Sequence, residues 1–451
     1  MMSLSQAAQF VDGTLQGGDA VFTAVSTDTR SLQQGALYFA LKGDRFDGHK
    51  FVADAGAAGA VGAVVEDYIE VGLPQIKVGD TRQALIDLAA SWRQSFKGSV
   101  VGITGSNGKT TVKEMVAAIL SKCGSVLATQ GNLNNDIGVP LTLLRMTNTE
   151  DFAVIEMGAN HKSEIDLLTH IAQPHVAIIT NAGPAHLEGF GSLQGVAEAK
   201  AEIYSGLTES GVAVINADDQ FAGLWESKCS GKKIMRFGLD AKDADVKGEW
   251  KSEVSGSLVK VMTRDKQYCE IHLPVPGRHN AMNALAAIAA SLAVGATLQD
   301  AQSALSEFRP VKGRLNIMQL AQGVRVIDDT YNANPASLDA GLKVLNEFDG
   351  LHWLVLGDMG ELGGDAAQYH FDIGQAAKLS GIDCLLATGE NARQAVKGFG
   401  ENGRFFETQD ALVEFLKNNT IQDVNILIKG SRYMQMERVV EALAGDTASC
   451  C

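Results

Sequence analysis

The stretch SVVGITGSNGKTT, Ser99–Thr111, decides how this chain is read. A Walker A loop spells G-x-x-x-x-G-K-[ST]. Counted back from Gly108, that pattern wants glycine at position 103, where this chain has Ile103. The glycine stands at 105 instead, which shortens the loop to G-x-x-G-K-T. The context is still that of a phosphate-binding loop. A β-branched strand, SVVGIT, leads in, and a helical pattern begins near Lys109. Gly105 and Gly108 allow the backbone to turn its N–H groups inward. Gly105, Ser106, Asn107, Gly108, Lys109, Thr110 and Thr111 are therefore the expected nucleotide contacts. Lys109 can reach the β- and γ-phosphates, and the Thr110 hydroxyl can serve Mg²⁺.

Working outward, DFAVIEMGAN ends a buried strand on Glu156. An acid at the C-terminal end of a parallel strand borders the ligand crevice and can hold a metal. TNAGPAHLEGFGS places His186 after a further strand of the same sheet, where a ligand role and a structural one are both open. Lys200, in AEAKAEIYSG, sits in a helical pattern among polar residues and alanines; by itself it reads as a solvated helix lysine. No N-K-x-D or T-K-x-D stretch is present, which weighs against guanine recognition.

Short apolar runs alternate with helical patterns along the 451 residues. The first part is a small α/β unit with strands in ALYFAL, AVVE and QIKV, followed by a helix over 81–96. From Ser99 the strands fit a doubly wound, mostly parallel sheet. After Asp245 they alternate like antiparallel strands, and an alanine-rich helix covers 279–294. FRPVKGRLN marks the passage to a third α/β unit with strands in VRVIDD, HWLVLGD, CLLATG and VNILIKG. The expected domains are 1–82, 83–311 and 312–451. GDMGELG, Gly357–Gly363, spells G-x-x-G-x-x-G, not a dinucleotide fingerprint, and is expected to be a structural turn. A net charge of −15 argues against a nucleic-acid partner. No apolar run reaches membrane-spanning length and the N-terminus has no signal-peptide pattern, so a cytoplasmic chain with six reduced cysteines is expected.

The motifs GITGSNGKTT, GNLNNDIGVP, VIEMGAN, AHLEGFGS, AKAEIYSG, PGRHNAMNALAA and IDDTYNANPAS occur in the order seen in Mur ligases. With STDTRSLQQGALYFALKGDRFDGHKF before them and LGDMGELG after, the chain resembles that family over nearly its whole length. G-x-x-G-K-T is that family's normal loop. The resemblance implies a small N-terminal α/β domain for a UDP-linked substrate, a central P-loop ATPase and a C-terminal Rossmann-like domain. It implies that ATP phosphorylates the terminal carboxylate of a UDP-N-acetylmuramoyl tripeptide. The amine of D-alanyl-D-alanine then attacks the acyl phosphate. Siblings that add a single amino acid, folylpolyglutamate synthase among them, differ at DDTYNANPAS. Glu156, His186 and Thr110 would be magnesium ligands, joined by Lys200, which matches the lysine this family commonly carbamylates. Asn280 resembles an adenine contact, and Arg314 and Asp329 resemble C-terminal residues that close on ATP. Thr27, Asp28, Thr29 and Arg30, with Asp47, Gly48 and His49, match the UDP-side motif. Asn332 and Asn334 would face the dipeptide, and a monomer is expected.

Overall fold

In the computed structural model, residues 1–43, 46–184, 187–253, 256–420 and 422–445 are described. Three principal sheets follow one another along the chain. The first has five strands in the order Thr14–Gln16, Gln75–Lys77, Gly62–Val65, Ala36–Phe39, Ala24–Ser26, all parallel except the first. The second has nine: Val126–Ala128, Phe152–Glu156, Ser99–Thr104, Val176–Ile179, Val212–Asn216, Lys233–Gly238, Val246–Glu253, Gly256–Thr263 and Tyr268–Leu273. Its first seven strands run parallel, and the last two add an antiparallel meander. The third has six: Asn316–Gln319, Arg325–Asp329, Val424–Lys429, Leu351–Leu356, Cys384–Thr388 and Gly403–Phe406, with only the first antiparallel.

The central strands read as unbroken apolar runs because both faces are covered. Val176–Ile179 is buried at every residue. On one face pack the helices Lys109–Leu120 and Arg278–Ala293, whose alanines let them lie close to the sheet and to each other. The other face is continuous with the N-terminal unit: Leu37 and Phe39 share one apolar cluster with Leu85 and Leu88 of the connecting helix and with Ile155 and Ile179. The helix Thr81–Arg93 belongs to this cluster. It starts where Asp80 accepts hydrogen bonds from the Arg82 and Gln83 N–H groups, at 2.7 and 3.0 Å, a cap worth about 1 kcal/mol.

Local differences from the sequence reading have physical causes. The segment between the strands ALYFAL and AVVE holds a 3₁₀ turn, Gly48–Phe51, followed by a short helix, Val52–Ala57. The edge strands Asn316–Gln319 and Gly403–Phe406 were not expected; four residues at a sheet margin are too few to show a period. The helix placed over 81–96 ends at Arg93. No described helix is long and apolar enough to cross a membrane. Cys123, Cys229, Cys269 and Cys384 are free thiols.

Candidate active site

Strand register builds the site. Ile103 pairs with Glu156, and Thr104 with Ile179, so the loop at 105–108 leaves the sheet beside Glu156 and beside the segment that begins at Thr180. Gly105 has φ +149, and a Cβ there would lie 1.9 Å from Thr180 Oγ1. Gly108 has φ +81, and its Cβ would meet Asn283 Oδ1 at 2.4 Å. Only glycine fits either position. The loop is then fastened from outside. Thr180 Oγ1 and Asn181 Nδ2 donate to Asn107 O at 2.6 and 3.0 Å, and Asn107 N donates to Asn181 Oδ1 at 3.0 Å. Ser106 Oγ donates to Gly183 O at 3.0 Å.

The loop opens on a cleft of about 1250 Å³ lined from both the central and the C-terminal units. Ser106, Asn107, Gly108, Lys109, Thr110, Thr111, Glu156, Asn280, Arg314, Asp329, Asn332 and Asn334 all line it. Gly105 sits one step behind, under Thr180. Lys109 Nζ donates to Gly105 O at 2.7 Å. Burial holds its ammonium below the usual lysine range, and the Glu156 charge opposes that shift. Glu156 is 2% exposed. Its Oε1 accepts from Asn134 Nδ2 at 2.7 Å, whereas Oε2 is buried with no partner among the described residues. An unsatisfied carboxylate oxygen costs more than an unsatisfied neutral group, and such an atom in a cleft calls for a cation.

Among the described residues, two side-chain contacts join the C-terminal unit to the segment 107–110. Arg314 Nη2 donates to Thr110 Oγ1 at 2.9 Å, its guanidinium lies 4.2 Å from the Tyr331 ring centroid, and its Nε is buried with no partner among the described residues. Asn334 Nδ2 donates to Asn107 Oδ1 at 2.9 Å, while its Oδ1 caps the helix Pro335–Leu345 through Ser337 N at 2.8 Å. Asn334 thus touches the phosphate loop with both ends of its amide engaged. Asn332 Oδ1 accepts from Ala333 N. The Asn280 amide is also occupied: Nδ2 donates to Pro276 O at 2.8 Å and Oδ1 accepts from Asn283. Asp329 forms a buried ion pair with Lys429, its register partner on the neighbouring strand.

Lys200 is not the solvated lysine that its neighbours in sequence suggest. It is 1% exposed, on the helix Leu193–Ala201, with Nζ 5.4 Å from the Phe190 ring centroid. It lies behind the residues that line the cleft. Burial, and then the charge of Lys109, push it down to about 7. His186 lies outside the described residues. Among the described residues no three His, Cys, Asp or Glu side chains cluster as a metal site. The oxygen set of Glu156 and Thr110 nevertheless suits a hard cation such as Mg²⁺.

The N-terminal candidates lie apart from this cleft. Asp28 and Arg30 pair with each other across one turn, at 2.6 Å, and Arg30 holds the carboxyl down at about 2. Thr27 and Thr29 flank Asp28 on the same turn. Asp47 accepts from His49 N and from His49 Nδ1, at 3.0 and 2.9 Å, and His49 Nε2 accepts from Glu66 N at 2.8 Å. Gly48 is pressed against Leu41 O, which a Cβ would meet at 2.7 Å.

Sequence reasoning missed Asn134, Asn181, Asn283 and Lys429. Lys429 left a trace, as a lone charge closing the apolar strand VNILIK. It also took GDMGELG for a purely structural turn, yet Gly360, Glu361 and Leu362 line the cleft.

Three family models match the chain: "Mur ligase family, catalytic domain" over 21–93, "Mur ligase middle domain" over 103–291 and "Mur ligase, glutamate ligase domain" over 313–432. The UDP-N-acetylmuramoyl-tripeptide–D-alanyl-D-alanine ligase of Escherichia coli K12 is 46% identical over 446 residues, covering 98% of each chain. A crystal structure of MurF from Acinetobacter baumannii superposes with a TM-score of 0.91 at 37% identity, over 98% of this chain and 99% of that one. MurF ligase from Thermotoga maritima, solved with ADP, gives 0.85 at 27% identity, over 96% and 99%. With a phosphate loop, a buried acid and a C-terminal arginine in one cleft, and with relatives matching from end to end, the chain belongs to the Mur ligase family.

Proposed function

We propose that this chain is an ATP-dependent ligase that joins D-alanyl-D-alanine to UDP-N-acetylmuramoyl-tripeptide, in the cytoplasm, as a step of peptidoglycan precursor synthesis. The observation that carries the reading is the cleft itself, where a phosphate loop, an unpartnered buried carboxylate oxygen and Arg314 converge. The names of the full-length relatives support the choice of substrates. The domains would divide at 82/83 and 311/312, and the chain would act as a monomer.

The chemistry follows from what a carboxylate lacks. It is a poor electrophile with a poor leaving group, so its oxygen first takes the γ-phosphoryl group of ATP. The amine nitrogen then attacks the acyl carbon, loses its proton, and the C–O bond to phosphate breaks. The protein's part is positioning and charge neutralisation. Lys109 would leave the loop carbonyls for phosphate oxygens. Arg314 would bring its N–H groups to the same phosphates from the opposite wall. Asn280 and Asp329 would border adenine and ribose, and Asn332 and Asn334 the incoming dipeptide. Thr27, Asp28, Thr29, Arg30, Asp47, Gly48 and His49 would hold the UDP end, remote from the reacting carboxylate.

Glu156, Thr110, His186 and a carbamylated Lys200 would hold Mg²⁺, which when bound supplies charge to the transferring phosphoryl group. The Glu156 oxygen without a partner is the feature that fits it. A buried ammonium at Lys200 would repel the ion, whereas a carbamate offers it oxygens. Phosphate release measured with UDP-N-acetylmuramoyl-tripeptide tests the reading. Release that requires D-alanyl-D-alanine, with product mass rising by one dipeptide, supports it. Equal release with single amino acids sinks it.

A further inference from the structure

We propose that Trp250 is the shelf on which the adenine of ATP stacks, so that a ribbon projecting from the central sheet sets where the base lies. The proposal rests on the ligase reading above and deepens it by giving the base end of the nucleotide a binding residue.

Strand register carries the tryptophan into the cleft. Val246–Glu253 pairs with Lys233–Gly238 only at its start, Val246 with Phe237 and Lys247 with Gly238. Phe237 in turn pairs with Asn216, the last residue of the next strand. The residues after Lys247 therefore run past the C-terminal edge of the parallel sheet, paired with Gly256–Thr263 as a two-stranded ribbon. At about 3.3 Å per residue, Trp250 stands roughly 10 Å beyond that edge. Ligands of such sheets bind in the crevice outside the carboxyl ends of the strands, and the ribbon walls one side of it. Trp250 lines the cleft.

The helix Arg278–Ala293 joins this wall to the phosphate loop. Asn283 stands against Gly108, whose Cβ would meet its Oδ1 at 2.4 Å. Asn280 and Arg278 line the cleft on the way back to the start of the helix, five residues from Asn283 to Arg278 or about 7.5 Å along the axis. The ribbon crosses the same helix, since a Cβ on Gly248 would meet Leu285 Cδ1 at 2.6 Å. Trp250 is two residues further out on the same face of the strand, toward the helix's first turns. A nucleotide whose phosphates lie on the loop carries its base one ribose away. The course along this helix leads to Trp250 and to Met282, which also lines the cleft.

The ring is prepared for stacking. It is half-buried against the apolar cluster that holds Leu285 and Val259. Its Nε1 donates to Ser257 Oγ at 3.0 Å, across the ribbon. That bond holds the ring in place and leaves its π-surface as what a ligand can use. The C-terminal unit meets the ribbon here: Ser252 Oγ donates to Glu347 Oε2 at 2.6 Å, and Val344 packs so close to the helix start that a Cβ on Gly277 would meet its Cγ2 at 2.7 Å. The cations at this end are matched, Arg278 with Asp240 and Lys343 with Asp339. An end lined by Trp250, Met282 and Val344 suits a flat neutral ring better than a phosphate or a carboxylate. Asn280 borders the same space with both ends of its amide engaged, so stacking supplies a hold of a different kind. Adenine is the ring chosen over uracil because the candidates for the UDP end lie apart from this cleft.

The test uses the full chain with Mg²⁺ and three probes: ATP, UDP and inorganic tripolyphosphate, which has the phosphates and no base. Emission of the four tryptophans is followed on titration. ATP should quench it in the parent chain, and tripolyphosphate and UDP should not. Trp250→Phe should abolish the quench while its KM for ATP stays within about threefold, because a phenyl ring still stacks. Trp250→Ala should raise the KM for ATP about tenfold, the loss of one base–aromatic contact, and leave the KM for D-alanyl-D-alanine unchanged. Tripolyphosphate should inhibit the parent and Trp250→Ala equally, whereas a lesion that reached the phosphate loop would weaken it as well. If Trp250→Ala fails to fold, the quench in the parent and its loss in Trp250→Phe decide. An unchanged KM for ATP in Trp250→Ala, a quench kept in Trp250→Phe, or tripolyphosphate inhibition weakened in step with ATP overturns the shelf while the parent chain still ligates. Quenching by UDP gives the ring to uracil and overturns it too. A parent chain that neither binds nor turns over ATP overturns the ligase reading, and this one with it.

Discussion

The central cleft and the N-terminal turns are both polar, but they are satisfied in opposite ways. In the cleft, charged groups are buried and incompletely partnered: Glu156 Oε2 and Arg314 Nε have no partner among the described residues, and Lys109 is held below its usual range by burial. At the N-terminal turns, Asp28 is paired with Arg30 and Asp47 with His49, near solvent and within two residues of sequence. Burying an unpaired polar group costs about 1–3 kcal/mol, so the cleft is paying for something it does not itself contain. The exposed turns carry no such cost. On the proposed reading, the difference separates a site where charge would be neutralised during a reaction from a surface that would hold a substrate's distant end.

The largest expected effect tests the first half of that contrast. Lys109→Ala should lower turnover by roughly 10²–10³-fold, since one contact to developing charge contributes about 2.7–4 kcal/mol. Its thermal midpoint should stay close to the parent's, because among the described residues the lysine donates only to loop carbonyls. Near-normal turnover in a folded variant would break the contrast. Glu156→Gln should follow closely. Gln keeps an oxygen for Asn134 and removes the stranded charge, so melting in metal-free buffer should hold or rise while ligation falls by about two orders of magnitude. A marked drop in melting temperature would show that the acid is structural.

Lys200 sharpens the comparison through pH. Its ordinary value is 10.5 and in the fold it lies at about 7. Between those values the unfolded chain binds the extra proton, so stability should rise as pH climbs from 7 toward 10.5. Below 7 the cost of burying the ammonium is present in full. Lys200→Met should flatten that rise in denaturant melts. The neutral amine is also the form that reacts with CO₂, so incorporation of labelled bicarbonate should grow above pH 7 in the parent and be absent in the variant. A slope equal in both chains would remove Lys200 from the account.

A smaller effect is expected at the seam between units. Asn334 caps a helix with Oδ1 and reaches Asn107 with Nδ2. Asn334→Ser keeps the cap and loses the reach; it should melt within about 1 kcal/mol of the parent and raise the KM for ATP. If that KM is unchanged, the contact between units is incidental to nucleotide binding.

How much of this was legible beforehand follows the same divide. The phosphate loop could be read because its glycines, lysine and flanking strand are local features. Glu156 could be read because a strand end in a parallel sheet points at the crevice. The burial of Lys200 could not, since the helix around it looks polar and Phe190 covers it from ten residues away. Nor could Lys429, which meets Asp329 across a strand pairing 100 residues long in sequence. Asn134 and Asn181 were hidden for the same reason: an asparagine in a loop looks alike whether it faces water, holds a buried carboxylate or fastens a phosphate loop. The central strands read well, whereas the margins of the third sheet, Asn316–Gln319 and Gly403–Phe406, did not, because four residues are too few to show a period.

The smallest effect belongs to the N-terminal turn and is the more telling for its size. Arg30 is 88% exposed, and its bond to Asp28 spans a single turn, so Arg30→Ala should leave the melting temperature where it was. Turnover at saturating substrate should also hold, because the turn lies outside the cleft. What should change is the KM for the UDP-linked substrate, and that change should shrink as salt is raised, as expected of an exposed charge. Its pH behaviour should differ from that of Lys200 as well. Asp28 titrates at about 2 in the fold against 3.8 ordinarily, so it is ionised in both states from pH 5 upward. Any pH dependence of that KM between 6 and 9 must therefore come from another group. A fall in turnover at saturation for Arg30→Ala, independent of salt, would mean that the remote turn takes part in the chemistry and that the two regions are not divided as the satisfaction of their charges implies.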